Sequence, residues 1–109
     1  MIVRKLDELS GTDREVNAAT WVSKRLLLQS DGMGFSFHVT TLYAGTETRM
    51  WYKNHFEAVL CVEGEGEIEE LDGGKKHLIT AGTMYALNEH DRHVLRARTN
   101  LKMVCVFNP

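Results

Sequence analysis

Long apolar runs are missing from this chain. No stretch approaches the roughly 20 apolar residues of a membrane span, and Met1-Ile2-Val3-Arg4-Lys5 passes into polar sequence without the apolar segment of a secretory leader. The expectation is a soluble protein of the cytoplasm with no membrane partner. Charge of one sign is missing as well: 13 basic residues face 15 acidic ones, for a formal charge of -2. With no basic block and no arginine interleaved with aromatics, nothing points to nucleic acid, and the expected ligand is a small molecule. Cysteine is scarce. Cys61 and Cys105 stand far apart with no C-x-x-C spacing, which excludes a disulfide scaffold and a thiolate zinc site and leaves two free thiols in a reducing compartment. No repeat, linker or low-complexity tract divides the 109 residues. One domain over 1–109 is therefore expected, with a single core and little to spare.

What is present is strand sequence. Met1 to Arg4 reads as a short strand, and Leu6 to Val16, with Ser10, Thr12 and Asp13 as candidate caps, holds at most a brief helical turn. From Trp21 the pattern is a run to Leu28, a turn at Ser30-Asp31-Gly32-Met33-Gly34, and a second run from Phe35 to Tyr43. Period two groups Trp21, Ser23 and Arg25 on one face, then His38, Thr40 and Leu42, then Glu57, Val59 and Cys61, and lastly Cys105 with Phe107. Several strands thus carry a face that mixes aromatic with polar residues. Turn signals recur at Ala44-Gly45, Glu63-Gly64-Glu65-Gly66, Leu71-Asp72-Gly73-Gly74 and Ala81-Gly82, with Asp72-Gly73 the strongest hairpin signal. Short strands at this spacing, without long amphipathic helices, predict an all-β jelly-roll sandwich or barrel with an open mouth and at most one or two short helices.

Two segments carry ligand-type residues on such strands. The first runs from Gly45-Thr46-Glu47-Thr48 through Tyr52-Lys53-Asn54-His55-Phe56-Glu57 to Gly64; the second runs from Gly82 through Met84-Tyr85-Ala86-Leu87 to His93. Their layout is that of the two motifs of a cupin metal site, with departures. Trp51 and Lys53 stand where a cupin has its His-x-His pair, and Thr80 replaces the usual proline. Taken singly, a glutamate opening a strand is usually solvated, a tyrosine in an apolar run is usually core, and a histidine after a turn is usually on the surface. Carboxylate, phenolate and imidazole together suit a first-row transition metal, whereas a structural zinc site wants thiolates.

The blocks Met1-Ile2-Val3-Arg4, Gly34-Phe35-Ser36-Phe37-His38-Val39-Thr40, Gly45-Thr46-Glu47-Thr48, Tyr52-Lys53-Asn54-His55-Phe56-Glu57-Ala58-Val59, Glu63-Gly64-Glu65-Gly66 and Asp91-Arg92-His93, in this order, closely resemble the ectoine synthase family of small cytoplasmic cupins. The resemblance implies an enzyme that closes N-γ-acetyl-L-2,4-diaminobutyrate into ectoine with loss of water. It further implies a homodimer, with Fe(2+) on Glu57, Tyr85 and His93 and substrate contacts at Trp21, Ser23, Thr40, Tyr52, Cys105 and Phe107. Tyr52 and His55 join the ligands as candidate catalytic groups, His55 in a position to orient the Glu57 carboxylate. His90 is expected to be exposed and His77 to face solvent. Chains of the resembled family continue past Phe107-Asn108-Pro109 with a segment over the barrel mouth, so a further tail is expected there. Two other readings stay open: an iron cupin dioxygenase, which consumes oxygen, and a cupin that binds a small ligand without catalysis.

Overall fold

The computed structural model describes residues 1–108. Ten strands follow in chain order: β1 (Glu15–Asn17), β2 (Trp21–Leu27), β3 (Ser36–Leu42), β4 (Glu47–Met50), β5 (Phe56–Glu63), β6 (Gly66–Glu70), β7 (Lys76–Ile79), β8 (Met84–Leu87), β9 (His93–Ala97) and β10 (Leu101–Asn108). They form a six-stranded sheet in the order β1-β2-β3-β10-β5-β8 and a four-stranded sheet in the order β4-β9-β6-β7. Every pairing is antiparallel. The all-β sandwich expected from the turn spacing is therefore observed, and its only described helices are two 3-10 turns, Leu6–Leu9 and Gln29–Asp31.

Alternation explains which faces meet. Along β5 the odd residues Glu57, Val59 and Cys61 are buried while Phe56, Ala58, Leu60 and Val62 are exposed. Leu42, Val59, Cys61, Ile68, Ile79, Leu95, Ala97, Leu101, Met103 and Cys105 close the core between the sheets. Burying leucines and isoleucines completely, as at Leu42, Ile79, Leu95 and Leu101, contributes on the order of 1.5–3 kcal/mol each. The inner face changes character along the strands. Leu101 pairs with Leu42 at one end of β10, and Phe107 lies between Ser36 and Glu57 at the other. One end of the sandwich is thus sealed with hydrocarbon, and the other is left open and polar.

The link from β5 into β6 requires glycine for contact as well as conformation. Gly64 has φ +101°, and a Cβ there would lie 2.1 Å from the Asn100 carbonyl oxygen. Asp72 and Gly73 do lie in the β6–β7 hairpin, but the loop is longer than a two-residue turn and closes through the Glu70 N–H to the Lys75 carbonyl at 2.8 Å.

The start of the chain differs from expectation. Residues 1–5 form no strand, because no strand pairs with them beside β1, which closes its edge of the six-stranded sheet. Arg4 instead donates to the Leu26 carbonyl at 2.8 Å and pairs with Asp31. The helical turn expected before Val16 is only Leu6–Leu9, closed by the Thr12 hydroxyl donating to the Leu9 carbonyl at 2.7 Å. Glu15–Asn17 then pairs with Asn17 opposite Val22 as the sheet's edge strand.

Candidate functional site

The open end holds a cavity of about 650 Å³. Trp21, Ser23 and Arg25 enter its wall from β2, His38 and Thr40 from β3, Cys105 and Phe107 from β10, Glu57 from β5 and Tyr85 from β8. Cross-strand register brings them together: Ser23 is opposite Thr40, Arg25 is opposite His38, and Glu57 is opposite Phe107. The Thr40 hydroxyl donates to Ser23 Oγ at 3.2 Å, and the Cys105 thiol lies 4.0 Å from Thr40 Oγ1. All six residues named as substrate contacts, Trp21, Ser23, Thr40, Tyr52, Cys105 and Phe107, therefore face one space.

Tyr52 and His55 reach the cavity from the loop between β4 and β5. Their rings lie 5.2 Å apart, and both pack edge-on against Phe107. Among the described residues His55 makes no side-chain hydrogen bond to Glu57, so its ring is held by aromatic packing. That loop is strapped to the turn before β9. Trp51 Nε1 donates to the His90 carbonyl at 2.9 Å, and His90 Nδ1 lies 2.9 Å from the Tyr52 carbonyl. His90 is exposed as expected but adopts φ +55° to make this contact. Trp51 and Lys53 face outward here, with the Lys53 ammonium 4.3 Å from the Trp51 ring centroid.

Burial dominates the electrostatics. Glu57 is 6% exposed, and burial raises its pKa to about 7, with the Cys105 thiol opposing the rise. Tyr52 and Tyr85 are pushed above the usual phenol value by burial and then by the Glu57 charge, and Cys105 rises for the same two reasons. His38 falls to about 4 through burial and the neighbouring Arg25 charge.

His93 comes from the opposite sheet, on β9 across from Met50 of β4. It is fully buried, and its Nδ1 lies 3.0 Å from the Asp91 carbonyl. A carbonyl can only accept, so Nδ1 carries the hydrogen and Nε2 presents a lone pair. That Nε2 has no partner. His93 is not in the wall of the large cavity. It lines a second cavity of about 260 Å³, and Tyr85 stands in the walls of both. His77 lines the second cavity too, pairing with Glu70 at 2.6 Å while remaining partly exposed.

The ligand trio is chemically suited to a metal. Across β5 and β8, Tyr85 is opposite Val59 and so is the same-face diagonal neighbour of Glu57. The Tyr85 and His93 ring centroids are 6.3 Å apart. A buried carboxyl, a half-buried phenol and an imidazole with an unshared Nε2 lone pair are groups whose desolvation a cation relieves. Among the described residues no cluster of three or more histidine, cysteine, aspartate and glutamate side chains is placed to hold a metal. A site here therefore depends on the tyrosine.

The sequence profile of the ectoine synthase family matches residues 1–109. The chain belongs to the ectoine synthase family. L-ectoine synthase of Desulfatibacillum aliphaticivorans is 58% identical, over all of this chain and 85% of that one. The L-ectoine synthase of Halalkalibacterium halodurans is 57% identical, over all of this chain and 84% of that one. The crystal structure of ectoine synthase from P. lautus superimposes with a TM-score of 0.96 at 58% identity, over all of this chain and 78% of that one. A cupin domain of an XRE family transcriptional regulator from Enterobacter cloacae shares the fold at 16% identity with a TM-score of 0.68, over 83% of this chain and 97% of that one. The chain is thus an enzyme of the hydro-lyase class on a cupin fold, and no helix among the described residues is long and apolar enough to cross a membrane. The cavity wall also holds two residues that the motifs alone did not single out, Arg25 and His38. Arg25 Nε and His38 Nε2 are buried without partners. Period two places them beside Ser23 and Thr40; an arginine and a histidine on an inward face were the signal.

Proposed function

We propose that this chain closes N-γ-acetyl-L-2,4-diaminobutyrate to ectoine, with its catalytic centre in the large cavity. One observation carries the reading: in a chain matched by the ectoine synthase family throughout, the cavity combines unpartnered Arg25 and His38 nitrogens with buried Glu57. In the reaction the substrate's α-amine attacks its own acetamide carbon. A C–N bond forms, the carbonyl oxygen departs as water, and the ring is left with a C=N bond.

The wall supplies what that cyclisation needs. The Arg25 guanidinium meets the α-carboxylate, an anion that matches its fixed charge and its unpartnered Nε. His38, neutral through burial, offers Nε2 to the same end of the substrate. Thr40 and Ser23 hydroxyls and the Cys105 thiol present short polar contacts for the acetamide. Trp21 and Phe107 press the flexible chain into a ring-like conformer and exclude bulk water, which opposes dehydration. Tyr52 keeps its proton, because burial and the Glu57 charge disfavour the phenolate, and so it serves as a hydrogen-bond donor to the departing oxygen. Fe(2+) on Glu57, Tyr85 and His93 would supply Lewis acidity toward the carbonyl oxygen.

A homodimer is part of the proposal. The outer face of the six-stranded sheet exposes Leu60, Val62, Met84 and Val106 on neighbouring strands, and apolar surface of this kind is normally covered. The test of function is incubation of the iron-loaded protein with the acetylated diamino acid in air-saturated buffer, with dissolved oxygen followed by electrode and the product by chromatography. Ectoine should form without oxygen consumption. Ectoine formation matched one for one by oxygen uptake, or full activity after verified metal removal, would overturn the assignment.

A further inference from the structure

The second cavity differs in kind from the first. Its wall contains Glu70, Glu89 and Asp91 and neither lysine nor arginine, whereas the large cavity has the Arg25 guanidinium in its wall. Tyr85 and His93 also line it. His93 is 0% exposed with an unpartnered Nε2, so this acidic cavity is lined by a buried imidazole whose lone pair is unused. The two cavities therefore share Tyr85, one with the Arg25 guanidinium and the buried Glu57 in its wall and the other with three carboxylates.

We propose that the smaller cavity is the route by which a divalent cation reaches Tyr85 and His93, with Glu70 and Glu89 attracting it at the surface, while substrate enters through the larger cavity. The inference rests on the metal reading above. Clefts lined by one sign of charge raise the local concentration of counter-ions and their association rates by about 10–1000-fold. Glu70, the cross-strand neighbour of His93, has a partly exposed side chain that pairs with His77, and Glu89 is exposed, so glutamine at either position removes a charge without opening the core. Separate routes also mean that an occupied substrate cavity does not trap the ion.

The test is stopped-flow absorption of Co(2+) binding to metal-free protein, with final stoichiometry measured separately by elemental analysis. Glu70→Gln/Glu89→Gln should slow association about tenfold and weaken its dependence on salt, with one equivalent still bound at saturation. Arg25→Gln, which removes the positive charge from the other cavity, should leave the association rate within about twofold. An unchanged rate in the double glutamine variant at full stoichiometry overturns the route and leaves the ligand assignment standing, as does a several-fold acceleration in Arg25→Gln. Failure of the unsubstituted protein to take up one equivalent overturns both the ligand assignment and the route.

Discussion

Gly66→Ala sets a favourable local effect against an unfavourable contact, and the distances decide between them. Gly66 opens β6 opposite Ala97 of β9, and its φ is not in the left-handed region. On backbone grounds alone alanine should stabilise by about 0.5–1 kcal/mol, since glycine loses more freedom on folding. A Cβ at this position, however, would lie 2.2 Å from the Arg96 carbonyl oxygen and 2.9 Å from Leu101 Cδ1. The nearer atom is backbone within a paired ladder, so relief requires β6 and β9 to separate by about 1 Å. Overpacking of a tight interior costs about 1–3 kcal/mol, and a rigid neighbour places this case near the upper end. The net loss is then about 2 kcal/mol, or roughly 8–10 °C in Tm for a chain of this size. Gly11→Ala is the comparator, since Gly11 has φ +77° and a methyl group added there would meet nothing within 4 Å; it bears backbone strain but no collision. Thermal melts and urea titrations of both variants are the assay. If Gly66→Ala melts within about 2 °C of the parent, the close approach of β6 to β9 does not constrain this position.

Three further outcomes are expected. Alanine in place of Glu57, Tyr85 or His93 should each deplete iron measured by elemental analysis, and stoichiometric iron in all three variants would remove the ligand assignment. His38, with its pKa lowered to about 4 by burial and then Arg25, takes up its proton more readily unfolded than folded; its contribution to stability is complete above about pH 6.5 and is lost as pH falls toward 4. His38→Gln should flatten urea stability between those pH values, and an unchanged slope would show that His38 does not set it. Leu60→Glu combined with Val106→Lys should convert a dimer to a monomer in sedimentation equilibrium, and a persistent dimer would place the interface elsewhere.

The strands and the faces they bury follow from short-range chemistry. Alternation at Glu57-Ala58-Val59-Leu60-Cys61 determines which side chains enter the sandwich whatever its partner strands are, because successive residues on a pleated strand point to opposite faces. The same rule brings Trp21, Ser23 and Arg25 to one face, and His38 and Thr40 to another, before any pairing is known. The matching blocks from Met1 to His93 made the family legible, and the profile match over residues 1–109 bears it out. Met1 to Arg4 misled because a strand-like composition forms a strand only where a neighbour supplies hydrogen bonds, and the Arg4 side chain had a better partner in Asp31. Only the tertiary structure decided how the faces combine. Register set Arg25 against His38 and Glu57 against Phe107, and the packing of one sheet on the other put His93 in the wall of the second cavity rather than the first. Periodicity along a chain reports which way a side chain points, whereas the depth at which it is buried, the neighbour that shifts its pKa and the cavity it reaches depend on strands distant in sequence.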